Sequence, residues 1–183
     1  MARIAYVDPA SAQGRAKTLL DGAKQQLGMV PNLFKVMANE PAVLDTYFKM
    51  NGALDGGSFD KAAREAIALT VAGENECGYC ASAHTAISKS LKVEPLEIDR
   101  RLAGHSENPK LEAALVFASR VVAAKGWVSD ADIQAVRDAG HDDAAIVEIV
   151  ANVVANIFTN YLNHLADTDI DFPKVDLASR KAA

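Results

Sequence analysis

Asn108-Pro-Lys-Leu-Glu-Ala-Ala-Leu-Val-Phe-Ala-Ser-Arg-Val-Val-Ala-Ala-Lys-Gly126 contains its own helix instructions. Asn108 offers a side-chain acceptor to the first free N–H groups, and Pro109 suits the first turn because its missing N–H would be unpaired there anyway. Gly126 stops the run, since only glycine enters a left-handed closing turn without strain. The same punctuation recurs in both directions. Glu94-Pro95 starts a short helix ending near Gly104, and Ser129-Asp-Ala-Asp132 opens one that Gly140 ends. From Asp142 a long helix runs to about Ala166. Upstream, Ala16, Leu19, Leu20, Ala23 and Leu27 form a helical stripe closed by Gly28. Met29-Val-Pro-Asn32 reads as a turn, and Pro41 opens a helix ended by Asp55-Gly-Gly57. Ser58 or Asp60 caps a helix to about Asn75, and another runs from near Cys77 to about Lys89. No segment alternates with period 2, so the expected fold is all-α, a single-domain bundle of about eight helices.

Composition agrees with this. The 183 residues include 34 Ala, half are hydrophobic and 23% are charged, which describes one folded, helix-rich domain. The domain is expected over 1–174, the part that carries Glu65, Cys77, Cys80 and His84 over about 41–125, and a frayed tail over 175–183. A net charge of −5 and no basic stripe argue against nucleic acid. Asp8 and Pro9 interrupt the start before a long apolar run could form, so no signal peptide is expected and the expected location is cytoplasmic. Ala144 to Leu162 is the most apolar stretch. Glu148, Asn152, Asn156 and Asn160 within it would cost several kcal/mol in a bilayer, so it reads as a buried helix and no membrane partner is expected.

The chemistry concentrates in two neighbouring helices. Cys77-Gly78-Tyr79-Cys80 holds the only cysteines, at a spacing that permits a disulfide or one metal. A bridge over so short a loop would stabilise the fold weakly, so reactivity explains the pair better, and a helix N-terminus favours thiolate. His84 lies one turn beyond Cys80 on the same face and is a base for that thiol. Structural zinc is the rival, but it wants four ligands and only Cys77, Cys80 and His84 are at hand. In the preceding helix Glu65 sits among Ala62, Ala66, Ile67 and Leu69. If that helix packs antiparallel to the Cys helix, Glu65 faces His84 and orients it; otherwise it pairs with Arg64 or Lys61. His105, His141 and His164 read as packing or surface residues. The series Glu148, Asn152, Asn156, Asn160 and His164 reads as a polar seam within the bundle or between subunits, outside the site.

Glu65, Cys77-x-x-Cys80 and His84 together resemble the signature of the alkylhydroperoxidase D-like proteins, in the carboxymuconolactone decarboxylase family. Val30-Pro-Asn-Leu-Phe34, Phe158-Thr-Asn-Tyr-Leu-Asn-His164 and Asp171-Phe-Pro173 resemble its uncharacterised peroxidase-related branch. The resemblance implies a thiol-dependent peroxidase acting on alkyl hydroperoxides or hydrogen peroxide. In it Cys80 attacks, Cys77 resolves, His84 is the base and Glu65 orients His84. It also implies a homo-trimer or homo-hexamer and recycling by an external dithiol, lipoyl-type or thioredoxin-type; no cofactor or metal is expected. Gly78-Tyr79 departs from the Ser-His of the best-known members, which removes a relay histidine. The alternatives are a redox-responsive or disulfide-exchange protein without peroxide turnover, and a lactone decarboxylase.

Overall fold

The computed structural model describes residues 2–177, and among these nine helices and no strand form. They are α1 (Gly14–Leu27), α2 (Asn32–Met37), α3 (Pro41–Leu54), α4 (Lys61–Glu74), α5 (Gly78–Ser90), α6 (Pro95–Leu102), α7 (Pro109–Ala123), α8 (Asp130–Asp138) and α9 (Asp143–Ala166). The caps follow the sequence signals closely. Asn108 Oδ1 accepts from Lys110 N and Leu111 N at 3.0 Å each, Ser129 and Asp132 form a reciprocal capping box, and Gly28 closes α1 at φ 75°. Of the two candidates for α4, Asp60 takes the cap, its Oδ1 accepting from Ala63 N at 2.8 Å.

The expected bundle of about eight helices has nine among the described residues, the added one being α2. Pro31 and Asn32, read as the end of a turn, open a six-residue helix in which Leu33, Phe34, Val36 and Met37 are all buried. A helix this short, with apolar residues on every side, shows no period to detect.

Helix α4 is the axis of the bundle and packs against α5, α6, α7 and α9. Its residues Ala66 to Ala72 are buried without exception, as expected of a helix enclosed all round. Leu69 and Ala72 join one core with Leu20, Phe34, Leu44 and Ile98; Ile67 and Val71 join another with Leu115, Phe117, Ile149 and Val153. Each fully enclosed Leu or Ile contributes about 1.5–3 kcal/mol through burial. Close approach is needed at one point: a Cβ at Gly73 would lie 2.0 Å from the Leu102 carbonyl oxygen. Val175 and Leu177, at the start of the expected frayed tail, pack against the first core, and Val175 N donates to Ser82 Oγ at 3.0 Å. The rest of that expectation, 178–183, lies outside the described residues.

Helix α9 is long and apolar enough to cross a membrane by length and composition. Ile149, Asn152, Val153, Asn160 and Asn163 on it are buried against the bundle, so it is used here as a core helix.

Candidate active site

Only Asn75, Glu76 and Cys77 separate α4 from α5. Glu76 takes a left-handed φ of 54° and Cys77 N donates to Ala72 O at 2.9 Å, which folds α5 back along α4. That reversal sets His84 against Glu65: Nδ1 lies 2.7 Å from Glu65 Oε2, and both side chains are largely buried. Arg64, the alternative partner for Glu65, pairs with Asp55 instead. Burial alone would push the His84 imidazolium down. The Glu65 charge and hydrogen bond, with the Cys80 thiolate, more than offset this, and the group titrates above its ordinary 6.5.

Cys77 caps α5, its sulphur accepting from Cys80 N at 3.4 Å. Both thiols are free and buried, at 1% exposure for Cys77 and 2% for Cys80, so Cys77 is no more exposed for being nearer the helix start. Their electrostatics differ sharply. The Cys77 thiol hydrogen bond lowers Cys80, burial opposes it, and His84, Asn163 and Thr159 add to the lowering; Cys80 titrates at about 6. The same bond, with burial and the neighbouring thiolate, pushes Cys77 far up. One proton is shared unequally, and Cys80 holds the negative charge.

Helix α9 supplies groups that the sequence reading left out. Asn163 Nδ2 donates to Cys80 Sγ at 3.2 Å, and Thr159 Oγ1 lies 3.9 Å from it. Neither belongs to the four-residue series. Within that series, Asn152 and Asn156 line a cavity with Glu65 and His84. Asn160 Oδ1 accepts from Asn75, and Glu148 accepts from Ser58 and Phe59 in the turn before α4. The seam is therefore partly site wall and partly bundle glue. Tyr79, where the resemblance led one to look for a histidine, commits its hydroxyl elsewhere, donating to Asp171 Oδ1 at 2.8 Å.

His84 separates two cavities. On the Cys80 side an apolar pocket of about 290 Å³ is lined by Leu33, Phe34, Tyr47, Tyr79, Ile87 and Phe172 among others. On the Glu65 side a polar one of about 220 Å³ is lined by Asn51, Arg64, Asn152 and Asn156. A larger cavity of about 540 Å³, beside Ser58, Arg101 and His141, holds none of Glu65, Cys77, Cys80 and His84. His141 bonds the Lys110 carbonyl at 2.8 Å, His105 pairs with Glu112, and His164 is exposed. Among the described residues, no three His, Cys, Asp or Glu side chains group to hold a metal.

This arrangement can hold a thiolate against an imidazolium at the base of an apolar pocket, with a second, protonated thiol beside it. Residues 41–130 match the carboxymuconolactone decarboxylase family model. The chain is similar in structure to the alkylhydroperoxidase core of an uncharacterised peroxidase-related protein from Ralstonia eutropha JMP134. The TM-score is 0.84 and the identity 26%, over 93% of this chain and 92% of that one. A peroxidase-related protein from Silicibacter sp. TM1040 shares the fold at a TM-score of 0.79 and 24% identity, over 89% and 88%. So does the debrominase Bmp8, solved with 2,3,4-tribromopyrrole, at 0.78 and 20%, over 98% and 94%. No curated protein sequence matches the chain. Residues 41–130 thus carry the carboxymuconolactone decarboxylase family segment, in an all-helical architecture shared with the alkylhydroperoxidase core of the first of these neighbours.

Proposed function

We propose that the protein is a thiol-dependent peroxidase working through Cys77 and Cys80. The observation that carries this is the Cys80 thiol, held at about 6 beside the Glu65–His84 pair and lining an apolar pocket. Cys80 thiolate attacks the peroxide: an S–O bond forms, the O–O bond breaks, and the leaving alkoxide takes a proton from the His84 imidazolium. Cys77 sulphur then attacks the sulfenic acid. The S–S bond forms, the S–O bond breaks, and the Cys77 proton leaves with the hydroxide as water. Two thiols and one hydroperoxide thus give one disulfide, one alcohol and one water, and an external dithiol returns two electrons by exchange. Glu65 holds His84 in orientation and stabilises its charge.

We also propose that copies of this chain assemble as a trimer or a multiple of it. Val147, Val150, Val154, Phe158, Tyr161 and Leu165 are exposed along one stripe of α9, an apolar face of the kind that a second copy covers. The number three rests on the family resemblance.

A second reading is favoured by the same pocket. A small halogenated ring fits an apolar space of about 290 Å³ above a thiolate, and the dithiol could exchange its carbon-bound halogen for hydrogen, releasing halide and leaving a disulfide. The experiment is steady-state consumption of a supplied dithiol, tested with cumene hydroperoxide and with a bromopyrrole. Hydroperoxide-dependent oxidation of the dithiol supports the peroxidase. Bromide release without hydroperoxide turnover supports the second reading, and oxidation by neither leaves a disulfide-exchange protein.

A further inference from the structure

Two stretches of the sequence, Val30-Pro-Asn-Leu-Phe34 and Asp171-Phe-Pro173, meet at Tyr79, one of the two residues between the cysteines. Asp171 Oδ2 accepts from Asn32 N at 2.8 Å, and its Oδ1 accepts from the Tyr79 hydroxyl, also at 2.8 Å. The Tyr79 oxygen in turn accepts from Leu33 N at 3.2 Å. Free N–H groups at the start of α2 are thereby satisfied by one carboxylate and one phenol, with the phenol kept neutral by burial. The chain on either side of Asp171 is also fastened. Asn32 Nδ2 donates to Asp169 O at 2.9 Å; further along, Val175 N donates to Ser82 Oγ, which donates to Gly78 O at 2.7 Å.

Between these fastenings stands Phe172. Its ring meets the Tyr79 ring edge-on, with centroids 5.7 Å apart and planes at 90°, and both line the pocket that opens on Cys80. At about 290 Å³ this pocket is at the lower end of ligand sites, so a small displacement of one aromatic wall changes what fits. Cys80 has only 2% of its surface exposed and lines this pocket, so a reagent that enters the pocket meets it.

We infer that Tyr79 and Asp171 are positioning residues that clamp Phe172 against the pocket and so select slim, apolar hydroperoxides over bulky ones at Cys80. The substrate class rests on the peroxidase reading; the width of the pocket does not. Breaking the clamp frees Phe172 to swing outward, and the selection by size relaxes.

The test compares Tyr79→Phe, Asp171→Asn and Phe172→Ala with the wild type, using two pairs of reagents. Iodoacetamide and a bulky aryl iodoacetamide report the pocket alone, with the label assigned to Cys80 by peptide mass spectrometry. Ethyl hydroperoxide and cumene hydroperoxide report the pocket through the chemistry. Each variant is expected to raise the bulky-to-small rate ratio by about tenfold, the scale of an apolar misfit. The Tyr79→Phe/Asp171→Asn double variant should fall short of the sum of the two single effects, because the Tyr79–Asp171 bond is common to both. Wild-type ratios in Tyr79→Phe and Phe172→Ala, or fully additive effects in the double variant, overturn the clamp. If the alkylation ratios rise but neither hydroperoxide oxidises wild-type Cys80, the clamp stands and the peroxidase reading falls.

Discussion

Replacing Cys77 by Ala should raise the Cys80 pKa more than any other single change near the sulphur, because the Cys77 hydrogen bond is the largest of the influences that lower it to about 6. The full return would be to the ordinary 9.0. At pH 7 a thiol at 6 is about nine-tenths thiolate, and one at 9 about one per cent, a drop of about ninetyfold. Nucleophilicity rises with pKa at a Brønsted slope of about 0.4–0.5, which recovers about twentyfold over three units, so the rate at pH 7 falls only about fourfold. The midpoint of the titration is therefore the measurement. Thiolate absorbance at 240 nm, or iodoacetamide alkylation followed across pH, should place wild-type Cys80 near 6, Cys77→Ala at least about one unit higher, and Cys77→Ser between them because its hydroxyl still donates. Stability follows the same sign. A depressed thiol pKa contributes stability that is full above its ordinary value and is lost as pH falls through the folded-state value, so the wild type should weaken down to about pH 6 and Cys77→Ala should lose less, over a window that closes at its higher midpoint. An Ala variant that titrates with the wild type would refute the shared-proton account.

His84→Ala should slow oxidation of Cys80 by about 100- to 10,000-fold in stopped-flow reaction with a hydroperoxide. Glu65→Gln should cost less and move the alkaline limb of the rate profile to lower pH, because Glu65 is what raises His84; an unchanged limb would remove Glu65 from that role. Gly73→Ala should lose about 1–3 kcal/mol in urea unfolding, since the new methyl meets backbone that cannot yield. Val154→Glu should leave monomers in sedimentation, and a wild type that is itself monomeric at micromolar concentration would contradict assembly on α9.

What the sequence made legible was what local chemistry dictates. Asn108-Pro109, Ser129-x-x-Asp132 and Gly28 mark helix ends with residues whose backbone preferences are strong, and the structure places ends there. The one missed helix, α2, is too short for a period and is held by distant groups, Asp171 and Tyr79. Distance in sequence also hid part of the site. Cys77, Cys80 and His84 share one helix, and Glu65 is one short turn away. Asn163 and Thr159 reach Cys80 across 83 and 79 residues, and nothing in their spacing distinguishes them from the neighbouring amides. A neighbour of known chemistry at a long separation was needed, and only folding supplies one. The phenol at Tyr79 shows the reverse: the missing relay histidine was visible at once, but the Asp171 that engages its replacement was not.

The central claim is tested most directly by treating the fully reduced protein with one equivalent of hydroperoxide and measuring the intact mass, followed by peptide mapping. The account predicts a loss of two hydrogens, a Cys77–Cys80 bridge and one equivalent of the corresponding alcohol; two free thiols beside unconsumed hydroperoxide would contradict it.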